Sequence, residues 1–202
     1  MKHFTFLTAF LFIAACNMGD DDKPELDHNF RAFLDYKVAD FDFSREVDYW
    51  EVRRQTLYIG TTATATTTIF SFDLESYATL SDNQITLVSE ATSEQGFKYS
   101  CLPGACSVFG VVIADENREI ISSLDELLLL FGTINTEAEL AIWLFANDYQ
   151  GTSFESNGDG YYAIASWTNH CGLEGSDLLS VDSLGEITVV QKISRRRTNT
   201  CA

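Results

Sequence analysis

The chain has 202 residues, 46% of them hydrophobic, with 13 Lys and Arg against 30 Asp and Glu for a formal charge of -17. This is enough apolar material for one globular core and too little length for the usual two domains. The acidity argues against nucleic acid, whose phosphates need clustered cations, and against an electrostatic hold on anionic lipid, and no apolar run reaches the roughly 18–20 residues that span a bilayer.

Residues 1–15 read as a secretory signal peptide. Lys2 supplies the positive start, and Phe4 to Ala15 form a short apolar stretch that ends in small residues. Ile13-Ala14-Ala15-Cys16 resembles the lipobox of bacterial lipoproteins. That resemblance implies that the signal is cut before Cys16 and that its thiol, the nucleophile, takes a diacylglycerol. Several acyl chains on one cysteine would anchor the protein stably, at about 0.8 kcal/mol for each buried methylene. Residues 16–28 are polar and acidic and read as a flexible tether. The run Asp20-Asp21-Asp22 soon after the cysteine resembles the surface-export signal of Bacteroidota lipoproteins, and Asn17 rather than Asp follows Cys16. The implied address is the outer membrane, facing the cell surface or, alternatively, the periplasm.

Residues 29–202 read as a single α+β domain. A half-exposed strand is expected around Val47 to Ile59, and the threonine-rich Thr61 to Thr68 reads as an edge strand flanking Ile69-Phe70. Ser81-Asp82-Asn83-Gln84 is a capping box that predicts a helix to about Ser93, with Gly96 at its end. Ser107 to Ala114 is apolar and short, as a strand buried on both faces should be. Asp115-Glu116-Asn117 should turn the chain so that Arg118 to Ile121 returns beside it. Capping boxes at Ser123 and Thr136 then open two helices. The first carries Leu124, Leu127, Leu128 and Phe131 on one face and ends at Gly132, and the second runs to about Asn147. Tyr161 to Trp167, Leu178 to Val181 and Glu186 to Ile193 read as strands, with Asp182-Ser183-Leu184-Gly185 as a hairpin loop. The expected architecture is an antiparallel sheet with a pair of helices packed on one face, stabilised by disulfides.

Removing Cys16 to the anchor leaves four cysteines in an oxidising compartment, which permits three connectivities. The Pro103-Gly104 turn between Cys101 and Cys106 favours that pair and leaves Cys171 with Cys201. Zinc on Cys101, Cys106, His170, Cys171 and Cys201 is disfavoured, because standard zinc modules carry two tighter pairs and neighbouring strand residues face opposite ways. The same geometry disfavours a Cys171–His170 nucleophile. Glu155 to Gly160 resembles the opening of a calcium loop, but Ser166 stands where a bidentate Glu belongs. A polar turn is the better reading. Asp48 and Glu51 beside Trp50 have the flavour of a sugar site, and a solvated strand face explains them as well. Lys192 with Arg195-Arg196-Arg197 reads as a solvated basic tail, and Asp182-Ser183-Leu184 resembles a short O-glycosylation motif of Bacteroidota.

No catalytic residue, metal ligand or cofactor site follows from these patterns. The expected function is a lipoprotein with a non-catalytic binding or accessory domain, its partner a protein or a glycan. The alternatives are a carboxylate-based hydrolase and an inhibitory or protective lipoprotein that presents the 101–106 cystine loop.

Overall fold

Two five-stranded antiparallel sheets and four helices make up the fold in a computed structural model, which describes residues 29–35, 37, 40–58, 64–71, 74–99, 106–169 and 171–201. Residues 1–28, where a signal peptide and tether are expected, lie outside the described residues. In chain order the first half runs β1 (Arg31–Ala32), β2 (Tyr49–Leu57), β3 (Thr64–Ser71), α1 (Leu74–Thr79), α2 (Asp82–Ser89), β4 (Lys98–Tyr99), β5 (Cys106–Ala114) and β6 (Asn117–Ile121). The second half runs α3 (Leu124–Phe131), α4 (Glu137–Ala146), β7 (Gln150–Ser156), β8 (Gly160–Thr168), β9 (Cys171–Asp182) and β10 (Ile187–Cys201).

One sheet has the order β3-β2-β5-β4, with β6 also paired to β5, and the other has the order β1-β7-β8-β9-β10. β5 forms the spine of the first sheet because its apolar run alternates between two covered faces. Val108 and Val112 join the main core, whereas Ile113 packs with Val88 of α2, and Phe109 and Val111 pack with Ala91 just beyond it. The two-residue turn into β6 uses Asp115 and Glu116, both at positive φ (48° and 62°), the twist that a tight hairpin needs.

The expected single sheet is in fact two, and the α3–α4 pair packs with both. The main core joins Trp50 and Val52 of the first sheet to Leu127, Leu130 and Phe131 of α3. It continues through Leu140 and Leu144 of α4 to Phe154, Ala163, Leu179 and Val181 of the second sheet. The reason lies in α4, whose buried residues Ala138, Leu140, Ile142, Trp143, Leu144 and Ala146 surround most of the helix. A helix apolar on nearly all sides needs more than one sheet face to cover it. Leu129 alone of the α3 leucines is open to solvent, at 76% exposure.

Other boundaries moved for identifiable reasons. α2 ends at Ser89, and Gly96 is no helix terminator. A Cβ at Gly96 would lie 2.2 Å from the Val108 carbonyl oxygen, so glycine there lets the chain press against β5. β2 is buried on both faces rather than half-exposed, because α2 and the segment after it cover its outer side. β9 and β10 are much longer than expected, so Arg195-Arg196-Arg197 belongs to a strand and not to a tail. The pairing of β7 with β8 places Glu155 and Ser156 in a strand, and Asn157 to Asp159 make the polar turn.

Candidate ligand-binding cleft

Between the two sheets, beside the C-terminal end of α4, opens a cleft of about 720 Å³. Its size falls within the range of small-molecule sites. One wall is the first sheet, through Phe70 and Ser71 of β3 and Lys98 and Tyr99 of β4. The opposite wall is the segment Asp148 to Gly151 leading into β7, together with Ser166 to Thr168 of β8. Phe33, Leu34 and Asp35 close one side, and Ala141, Ile142 and Phe145 of α4 form the floor.

Rings dominate the lining, and several are fixed by their neighbours. Phe70 meets Phe145 edge-on with centroids 5.0 Å apart, and Phe33 packs on Phe154 at 4.7 Å. The Lys98 ammonium sits 4.5 Å from the Phe145 ring centroid and donates to the Phe145 carbonyl at 2.8 Å. Its charge is met by the Asp148 carboxylate, also at 2.8 Å. Such a cation, stacked, hydrogen-bonded and ion-paired, is part of the wall rather than a free anion receptor.

At the far end Trp167 is locked in the same way. Its indole N–H donates to Asp177 Oδ2 at 2.8 Å, while Arg195 lies over the ring at 4.8 Å and holds Asp177 Oδ1 at 2.5 Å. Asp177 is buried, so these two partners occupy both of its oxygens where water does not reach. Gly175 makes the stack possible, because a Cβ there would lie 2.9 Å from Trp167 and 2.8 Å from Arg195. Burial pushes the Tyr149 phenol above its ordinary pKa, the Asp177 charge pushes it the same way, and Arg195 opposes both. Tyr149 is therefore a neutral hydroxyl at physiological pH.

The residues expected from sequence are spread otherwise. Trp50 is fully buried in the core and Glu51 is buried among Tyr49, Arg53 and Thr68, so the sugar-site reading of Asp48, Trp50 and Glu51 is overturned. Asp48 accepts a hydrogen bond from Gln84 at 3.3 Å instead. Cys16, Cys101 and His170 lie outside the described residues. Cys106 is disulfide-bonded, and the β9–β10 register sets Cys201 directly opposite Cys171. Among the described residues no cluster of three or more His, Cys, Asp or Glu could hold a metal. No described helix is long and apolar enough to cross a membrane.

Sequence reasoning did not find the cleft. Tyr99 ends β4, Tyr149 sits between α4 and β7, Trp167 is near the end of β8, and Phe33 follows β1. Each is an isolated aromatic at the end of an element, and no spacing links them. The chain matches no protein-family model, no curated protein and no solved structure.

Proposed function

We propose that the protein is a lipoprotein anchored in the outer membrane through acylated Cys16, with its folded domain on the cell surface binding a ligand without chemistry. The observation that carries the binding role is the aromatic cleft between the sheets. Its charges support binding over catalysis, since all but Asp35 are engaged in holding the walls. Lys98 is held by Asp148 and the Phe145 carbonyl, and Asp177 by Trp167 and Arg195. A two-carboxylate hydrolase would instead need a second carboxylate free to exchange a proton with substrate, and among the described lining residues Asp35 is the one unpaired carboxylate. The position of the cleft supports a use for the two proposed disulfides. Cys101–Cys106 would tie the ends of the segment that leaves the cleft wall at Tyr99, and the disulfide-bonded state of Cys106 supports this bridge. Cys171–Cys201 would pin the start of β9 just beyond the cleft residue Thr168, and the facing register of the two positions supports it. By the loop-entropy account the short bridge contributes about 2 kcal/mol and the long one about 3–4.

Two measurements test the reading. Cys16→Ser should give an unlipidated protein released from the membrane fraction, and normal retention would refute the anchor. Amide shifts of the protein titrated with a library of small polar and aromatic compounds should cluster at Tyr99, Tyr149, Gln150 and Thr168. Shifts that gather elsewhere would remove the cleft as the binding site.

A further inference from the structure

The lining of the cleft narrows the ligand to a chemical class. Five of its side chains, from Asp35, Tyr99, Tyr149, Gln150 and Thr168, bring one carboxylate, one amide and three hydroxyls to the opening. Among the described residues none of these five polar groups has a hydrogen-bond partner, in contrast to Lys98 and Asp177, each of which has two polar partners. The Tyr99 and Tyr149 rings likewise stack on no other described ring, and Tyr99 is 55% exposed. The cleft therefore offers the exposed Tyr99 ring and the half-buried Tyr149 ring, interleaved with groups that between them donate and accept.

Charge removes part of the field. Lys98 and Asp148 cancel, which leaves Asp35 as the net charge of the lining, on a chain whose formal charge is -17. Phosphates, sulfates and uronic acids would be repelled. A purely hydrocarbon ligand would strip water from five polar groups and give them nothing in return, which is unfavourable. A ligand that suits both kinds of surface has apolar C–H faces for the rings and hydroxyls around its perimeter for the amide, carboxylate and phenols.

We infer that the cleft takes a short neutral glycan segment, its sugar faces laid on Tyr99 and Tyr149 and its hydroxyls met by Asp35, Gln150 and Thr168. This rests on the cleft being the binding site, and the test separates the two claims. Secreted full-length protein carrying Cys16→Ser is screened against neutral gluco-, manno-, galacto- and xylo-oligosaccharides. Sulfated and uronic-acid oligosaccharides serve as anionic probes, and Nile red as an apolar one. At least one neutral series should bind, and binding should be lost in Tyr99→Ala and in Tyr99→Ala/Tyr149→Ala. It should persist in Tyr162→Ala, a β8 residue outside the cleft. The half-exposed Tyr99 position keeps the single variant folded should the double one fail. Preference for the anionic series overturns the glycan class, as does Nile red binding that the same variants abolish with no neutral glycan retained; either result leaves the cleft intact as a site. Glycan binding that survives Tyr99→Ala and Tyr99→Ala/Tyr149→Ala overturns the cleft itself, and no binding of any probe overturns both.

Discussion

β2 and β10 carry similar sequences and meet opposite fates. Both mix charged residues with β-branched ones, Glu51, Arg53 and Arg54 in one and Lys192, Arg195, Arg196 and Arg197 in the other. In β2 the face bearing Tyr49, Glu51, Arg53 and Gln55 lies beneath α2 and the segment that follows, and all four side chains are buried. Most of their polar atoms are therefore paired inside the protein, Arg53 Nε being an exception. Glu51 Oε2 accepts from the Tyr49 hydroxyl at 3.1 Å and from Thr68 at 3.0 Å, and Glu51 Oε1 meets Arg53 at 2.5 Å. Arg53 reaches the Ala91 carbonyl at 3.2 Å, and Gln55 receives the Ser93 amide at 3.0 Å. β10 is an edge strand with three register irregularities against β9, and most of its described side chains are open to water. Bulges and cations at a free edge discourage pairing with another chain, which gives its charges a use that needs no partner. The difference teaches that the layer above a strand, not its composition, decides whether a charge is structural.

The largest effect should come from breaking the buried network. Glu51→Ala leaves the Arg53 guanidinium buried without its counter-charge, and about 3–5 kcal/mol of stability should be lost. Glu51→Leu with Arg53→Met removes both charges at similar volume and should recover most of that. Denaturant midpoints of the two variants decide it. A loss below about 1 kcal/mol for Glu51→Ala would mean that water reaches the pair.

Asp177 stands between the extremes, being buried itself while its partner Arg195 is one-third exposed (34%). Asp177→Ala frees an arginine that can turn to solvent, so the cost should be about 1.5–3 kcal/mol, the worth of hydrogen bonds to a charged group. Trp167 fluorescence should change as well, because its N–H loses its acceptor. An unchanged emission spectrum would show that Asp177 does not hold the ring.

The same contrast of cover recurs at two helix starts, where it sets the sign of a pH effect. Glu126 and Glu139 occupy the same position in the capping boxes of α3 and α4. Glu126 is exposed, and hydrogen bonds from the Ser122 and Ser123 amides and hydroxyls hold its carboxyl below the ordinary pKa. Glu139 is fully buried, and desolvation raises its pKa although the Asn135, Asp42 and Thr136 amides oppose the rise. Glu126 therefore contributes stability above the unfolded carboxylate range, lost as pH falls through its lowered value. Glu139 contributes stability below that range, lost as pH rises through its raised value. The stability difference between the native chain and Glu126→Gln should thus grow from acid toward neutral pH, and that for Glu139→Gln should shrink. Parallel slopes would show that burial does not govern Glu139.

What was legible in the sequence was local. The three capping boxes fixed the starts of α2, α3 and α4 because each closes within three residues, and the Asp182–Gly185 loop was readable for the same reason. The two-residue strands β1 and β4 were not readable, since each is too short to carry a pattern and exists only through its partner, the distant β7 for β1 and β5 for β4. The burial of β2 was missed because it depends on α2 folding over it, which no residue of β2 announces. The cleft was missed for a related reason, since its rings come from the ends of separate elements that only the packing of two sheets brings together.

The smallest expected effect tests the open end of the comparison. Arg196 pairs with Glu174 across the β9–β10 ribbon, with its side chain 74% exposed. Water screens such a pair, and fixing two long side chains costs entropy, so Arg196→Ala should change stability by about 0–1 kcal/mol. The effect should shrink further in high salt, because an exposed pair is screened over a few ångströms at molar ionic strength. A loss that persists in salt would point instead to packing of the Arg196 stem along the strand, since arginine covers apolar surface with its methylenes. Arg196→Lys separates the two, because it keeps a charge and most of the stem while giving up the planar fork. Full recovery by lysine in low salt and no effect of either variant in high salt would place Arg196 where its exposure puts it, as a solvated edge charge. A loss near that of Glu51→Ala would require a cover over β10 and would erase the distinction between the two strands.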